Sequence, residues 1–180
     1  LFIFLTCFVF VSVVLLSQVS IVQALINEKA PLKAQGSSDE SARAEAQRLF
    51  DEGMKLYKQG TAESLRSYIE TLKKALRLYQ NIGDKKSQAV ILNNIGRVYD
   101  DLGDKQQALK FFNQSLPLTI EVGDKSGQAV ILNNIGLVYS SLEDKQKALK
   151  FFNQSFPLRI KVGDKSGQAA TLNNIGGVYD

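Results

Sequence analysis

The 180-residue sequence contains no His and no Trp, one Cys (Cys7) and one Met (Met54). Without His, neither a Ser-His-Asp nor a Cys-His nucleophile pair can form in this segment, and no His-bearing zinc site can either. A single Cys excludes an internal disulfide and a CxxC pair. Chemistry is left to carboxylates, Lys, Tyr and the hydroxyl residues. The adjacent carboxylates Asp100 and Asp101 fall at a helix end, and forty residues later the same places hold Ser140 and Ser141. That is no basis for an acid–base pair. The expectation is therefore no catalytic residue, no metal, no cofactor and no enzyme activity in this segment. Charge of one sign is also not in great excess: 22 Lys and Arg stand against 18 Asp and Glu, a net charge of +4. A dedicated nucleic-acid binder carries a more clustered basic surface.

Charge is absent altogether from Leu1 to Ile26. This run is either the apolar core of a signal peptide or a membrane helix, since about 20 apolar residues suffice to span a bilayer. Growing polarity at Ser17, Gln18, Ser20 and Gln23, followed by Val22-Gln23-Ala24 as a small-residue cleavage pattern, favours a signal peptide over residues 1–24. The alternative is an uncleaved anchor. In either case the rest of the chain is expected outside the cytoplasm, periplasmic or extracellular, with membrane contact only if the segment is retained. Cys7 follows Phe4-Leu5-Thr6, which is not the small-residue context of a lipid-modified Cys, and reads as one more apolar residue. Residues 25–38, with Pro31, Gly36 and Ser37-Ser38, read as a flexible linker.

Beyond the linker the sequence repeats. Residues 83–122 and 123–162 align without a gap and agree at 30 of 40 positions, and a third copy opens at Gly163. Each copy reads as two helices of about 17 residues, roughly 26 Å each. In the first helix of the second copy, Ala129, Leu132, Ile135, Gly136 and Tyr139 recur at helical spacing. Asp124 is its N-cap, after Gly123 as the C′ residue of the preceding helix. The second helix starts near Asp144, with Ala148, Leu149, Phe152, Ser155, Phe156 and Ile160 as its buried stripe. Asp104 and Gln107 offer a capping box in the preceding copy. Pro117 and Pro157, late in the second helices, predict a local bend. Residues 39–82 form a diverged pair: a capping box at Ser37–Glu40, a first helix with Ala46, Leu49, Gly53 and Leu56, and a second over Ser64–Tyr79. Leu1 stands where a Met is expected, and Asp180 falls within the first helix of the partial copy 163–180. Both ends are expected to continue in a longer protein.

The order Leu-x-x-Ile-Gly-x-Val-Tyr, a turn, then Ala-Leu-x-Phe-Phe resembles a tetratricopeptide repeat. The small residue where two helices touch is Gly96, Gly136 or Gly176; the aromatic three on is Tyr99, Tyr139 or Tyr179; the Ala opening the second helix is Ala108 or Ala148. The 40-residue period, against the usual 34, is similar to the longer-helix branch that includes kinesin light chains. Ser115 and Ser155 depart from the family's preference for Ala. The resemblance implies an all-α fold, an α-α superhelix of antiparallel helix pairs, whose concave wall of first helices holds a partner protein or extended peptide. Bacterial proteins of this kind often carry a caspase-like peptidase domain of the CHAT type after the repeats. That leaves an alternative: a sensing region of a larger protein whose effector lies beyond residue 180.

With Leu92, Ile95, Gly96 and Tyr99 buried, the free face of the first helices carries Val90, Asn93, Asn94, Arg97 and Asp100. In the next copies it carries Val130, Asn133, Asn134, Leu137 and Ser140, then Ala170, Asn173, Asn174, Gly177 and Asp180. Asn offers both donor and acceptor, so it can pair with peptide backbone whatever the sequence. Asn93, Asn94, Arg97, Asn133, Asn134, Asn173 and Asn174 are therefore the candidate peptide-binding residues. The competing role for the Asn pairs is a bond to the neighbouring repeat that sets its register. The recurring Lys85, Lys125 and Lys165 each follow an Asp at a turn, as do Lys105 and Lys145. They read as solvated turn residues rather than a nucleic-acid stripe. Phe111, Phe112, Phe151 and Phe152 read as inter-helix core.

Overall fold

The computed structural model describes residues 36–179. Residues 1–24, where a signal peptide or anchor was expected, together with Cys7, residues 25–35 of the expected linker, and Asp180, lie outside the described residues. The chain divides into two units, Leu1–Ser41 and Ala42–Asp180. Of the first, only 36–41 is described, and it is helical. Residues 36–38 are thus helix where linker was expected, and Ser37 lies inside a helix rather than capping one. The strongly helix-forming run Ser41-Ala42-Arg43-Ala44-Glu45-Ala46 follows with no Gly or Pro between to stop the helix.

In the second unit every described element is an α-helix. These are α1 (42–59 within this unit), α2 (Ala62–Asn81), α3 (Lys85–Asp101), α4 (Lys105–Glu121), α5 (Lys125–Ser141), α6 (Lys145–Lys161) and α7 (Lys165–Tyr179). Helices α3–α6 have the expected 17 residues. Their starts are chemical. Asp84, Asp104, Asp124 and Asp144 each accept the backbone N–H three residues on, from Ser87, Gln107, Gly127 and Lys147. Such caps are worth about 1 kcal/mol each. Asp104 and Gln107 make this outward half of the box, while the reciprocal box is formed by Thr61 and Ser64.

The stops are equally regular. Gly83 adopts φ 68°, donates to the Gln80 carbonyl, and lets Asp84 N–H reach back to the Tyr79 carbonyl. This double closure recurs at Gly103, Gly123 and Gly163. Glu143 takes the same place with φ 59° and makes the same bonds, although a side chain is strained there.

Within each pair the helices close on a glycine. A Cβ on Gly96 would come 2.7 Å from the Phe112 ring, one on Gly136 would come 2.5 Å from Phe152, and one on Gly53 would come 2.6 Å from Tyr68. The missing side chain lets the ring pack on backbone, so Phe112 and Phe152 are fully buried. Each such burial is worth roughly 1.5–3 kcal/mol. Gly176 meets nothing within 4 Å. Tyr99 stacks on Phe111 at 5.4 Å and Tyr139 on Phe151 at 5.5 Å. Ser115 and Ser155, unusual for the position, donate from buried hydroxyls to the carbonyls of Ala89 and Ala129 at 2.6 and 2.7 Å. Each bond ties a second helix to the second turn of its partner.

Helices α4 and α6 run unbroken through Pro117 and Pro157. Both prolines, and the Asn113 and Asn153 whose carbonyls they free, lie on the exposed face. Water can satisfy those carbonyls. One part of the expected α6 stripe is displaced. Ile160 is 54% exposed, and Arg159 is buried in its stead. The buried row runs Ala148, Phe152, Ser155, Arg159, so Ile160 is turned about 100° away from it.

Successive pairs stack with α4 on α5 and α6 on α7, and the first helices touch in series, α3 to α5 and α5 to α7. The unit is an all-α solenoid of antiparallel helix pairs, as the sequence predicts.

Candidate functional site: the face of the first helices

The Asn ladder lies where α3, α5 and α7 meet. Asn134 donates from Nδ2 to Asn93 Oδ1 at 3.0 Å, and one repeat on Asn174 donates to Asn133 Oδ1 at 3.0 Å. Asn133 also accepts from the fully buried Thr171 hydroxyl at 3.3 Å. The first Asn of one pair thus holds the second Asn of the next. Asn133 is 7% exposed and committed to these bonds, which removes it from the surface a ligand would touch. Asn93 and Asn134 are half-buried in their bond, and Asn174 likewise. Asn94 is half-buried too but makes no such bond, and Arg97 and Asn173 are exposed. Arg97 stands near the Tyr68 phenol. Burial pushes that phenol above its ordinary value, and the guanidinium partly offsets the rise.

Beside this ladder the solenoid opens clefts between neighbouring first helices. Between α3 and α5 it measures about 310 Å³ and is lined by Lys86, Val90, Asn93, Thr119, Asp124 and Ser126, among others. Between α1 and α3 the counterpart is about 170 Å³, with Phe50, Tyr79 and Lys86 in its wall. Both are the same place in the repeat, at the start of a first helix.

Three positions shape this place; the sequence pattern marked the third only as a helix cap and did not single out the other two. One is the row Tyr79, Thr119, Arg159 on the second helices. Another is Ser87, Gly127, Gly167 on the first helices. The third is the N-cap row Asp84, Asp124, Asp164. In the third copy Arg159 is buried at this place and its Nη1 donates to Asp164 Oδ2 at 2.6 Å. A Cβ on Gly167 would lie 1.8 Å from that nitrogen, so the glycine makes room for the guanidinium. The Gly167 N–H and Arg159 together hold the Asp164 carboxyl below its ordinary value. In the first copy Arg43, from α1, pairs with Asp84. Burial pushes Asp84 up, but the Ser87 N–H and hydroxyl together with Arg43 bring it below the usual range. The signal for these positions was present in the repeat alignment. Lys86/Ser126, Ser87/Gly127 and Thr119/Arg159 are among the ten places where the two full copies disagree.

The remaining charges are ordinary surface pairs. Lys85 pairs with Glu121, and Lys105 with Asp100 at 2.7 Å. Among the described residues no cluster of three or more potential ligands could hold a metal ion. No described helix is long and apolar enough to cross a membrane.

The fold and the face together define a helical-repeat protein of the helix-pair class. Tetratricopeptide repeat family profiles match residues 69–121 and 129–156, and these repeats are tetratricopeptide repeats. Solved structures with a similar fold include BtubC (BKLC) from P. vanneervenii, with 18% identity, TM-score 0.51, and coverage of 78% of this chain and 65% of that one. The apo form of RapI is similar at 18% identity and TM-score 0.70, covering 76% and 37%. The TPR domain of Arabidopsis FLU is similar at 19% identity and TM-score 0.60, covering 67% and 98%. The chain therefore spans under two thirds of the length of BtubC and little more than a third of RapI. No curated protein matches the sequence.

Proposed function

We propose that the second unit binds an extended segment of a partner protein along the face of α1, α3, α5 and α7. Tetratricopeptide repeats act as protein–protein interaction scaffolds. The observation that carries the reading here is the cleft repeated between successive first helices, about 170 and 310 Å³ in volume. Its lining mixes exposed apolar groups such as Val90, 47% exposed, with polar ones. Side chains of an extended peptide, spaced by its own period, would enter such clefts while its backbone meets the Asn-bearing face. Arg97, Asn173 and the half-buried Asn94 are the candidates for backbone and side-chain contact, with Asn93 in the wall of the cleft between α3 and α5. The test is capture of peptides from an array by the full chain, compared with the Asn94→Ala/Arg97→Ala variant. Weaker capture at unchanged helicity and thermal stability supports the reading. Equal capture by both would refute it.

The repeats are further proposed to work outside the cytoplasm, on the strength of the charge-free run Leu1–Ile26 and the Val22-Gln23-Ala24 pattern. A mature N-terminus at Leu25 after expression in an exporting host supports this. Quantitative recovery in the cytosol with residues 1–24 intact contradicts it.

A further inference from the structure

The three copies of this place differ in whether a guanidinium meets the N-cap aspartate. Asp84 holds the guanidinium of Arg43, and Asp164 holds that of Arg159. Asp124, the equivalent residue of the middle copy, receives the Gly127 N–H on Oδ1 at 2.9 Å and pairs with no cation among the described residues. Thr119 stands where Arg159 stands one repeat later, and Gly127 keeps the place free that Gly167 keeps free for a guanidinium. The consequence of the shorter side chain is the 310 Å³ cleft itself, with Asp124, Ser126, Asn93 and Thr119 on its walls. That volume is at the lower end of small-ligand pockets, about 300–1,000 Å³, and suits one long side chain rather than a whole ligand. Lys86 is the cation among the lining residues. It is exposed, forms no ion pair with Asp124, and its flexible stem lets the ammonium stay in water.

We propose that the cleft between α3 and α5 is a binding site for an arginine side chain supplied by the partner, with Asp124 as its counter-ion. The chain supplies its own arginine to the first and third copies of this site and withholds it from the second. A planar guanidinium can pair with the carboxylate and at the same time donate to the polar wall, which a point-charge ammonium does less well. This inference rests on the groove being the partner-binding face, and it names the side chain the groove selects.

The probes are N-acetyl-arginine amide and its neutral counterpart N-acetyl-citrulline amide, titrated into the full chain with the amide signals of Ser126 and Gly127 as the readout. Arginine amide is expected to shift these signals, and citrulline amide to bind about tenfold or more weakly, as expected for a hydrogen bond to a charged group. Asp124→Asn keeps a good N-cap and should abolish the difference between the probes. Thr119→Arg should restore the arrangement of the third copy and close the cleft to arginine amide. Equal binding of the two probes overturns the proposal. So does undiminished arginine binding by Asp124→Asn or by a folded Thr119→Arg. Peptides captured by the groove with no preference for arginine, and no effect of Asp124→Asn, would overturn this inference and leave the peptide-binding reading standing. Arginine amide bound at Asp124 with no peptide captured by the groove would overturn the peptide-binding reading, and with it the partner as the source of the arginine, while leaving the arginine site at Asp124.

Discussion

Replacing Asn133 by Ala removes one acceptor that serves two donors. Asn174 Nδ2 and the Thr171 hydroxyl, 3.0 and 3.3 Å away, both lose their partner, and Thr171 is fully buried. An unmet buried donor costs about 1–3 kcal/mol. Two circumstances reduce the sum: the Thr171 hydroxyl can turn to the carbonyl four residues back, and the half-buried Asn174 amide can find water. The net expectation is about 1–2 kcal/mol, or about 2–8 °C in Tm for a chain of this size. In a solenoid each unit leans mainly on its neighbours, so the loss should fall first on α7. Amide hydrogen exchange then reads it directly, as roughly five- to thirty-fold lower protection in α7 with little change in α2 and α3. Asn93→Ala removes a bond to the half-buried Asn134 alone and should cost less, about 0.5–1.5 kcal/mol. If Asn133→Ala left α7 protection and Tm unchanged but weakened peptide capture, the register role argued from these bonds would be wrong.

Glu143→Gly should stabilise the unit by about 0.5–1 kcal/mol in urea unfolding, because the left-handed turn costs an L residue about 1–2 kcal/mol and glycine returns only part of that in chain entropy. A null or negative result would mean the φ of 59° carries no strain. Gly136→Ala should cost about 1–3 kcal/mol by overpacking Phe152. Gly176→Ala, at the same repeat position with no neighbour within 4 Å, should be neutral or gain up to about 1 kcal/mol. Similar effects at both sites would refute the packing argument. The carboxyls of Asp84 and Asp164 titrate below their ordinary value when folded. Their stabilisation is therefore complete above the unfolded carboxylate range, near pH 4, and is lost as pH falls through the lower folded values. Arg159→Met should move the Asp164 titration back up, read by the side-chain carboxyl signal. An unmoved titration would remove Arg159 as a cause.

Much of this arrangement was legible because it is local. An Asp before a helix, a Gly after one and a Gly opposite a Phe each act within a few residues or within one helix pair. A 40-residue self-similarity makes each such signal visible more than once. The family resemblance drew on the same residues. The N-terminal capping box failed for a local reason too: propensity in the Ala-rich run carried the helix past Ser37.

What the sequence determined by itself is the helix pair: its period, its caps, its turns and its buried stripe. What the tertiary structure decided is how one pair meets the next. The Asn ladder has the same spacing whether it faces a peptide or the neighbouring helix. Only the approach of α5 to α3 and of α7 to α5 puts Asn134 on Asn93 and Asn174 on Asn133. Likewise an exposed-looking Arg159 and an unremarkable Thr119 acquire meaning only when the second helix of one repeat borders the first turn of the next. Helical periodicity specifies a face but not its neighbour, because contacts between repeats depend on rotation and translation between rigid pairs. That relation left one of three equivalent aspartates without its arginine.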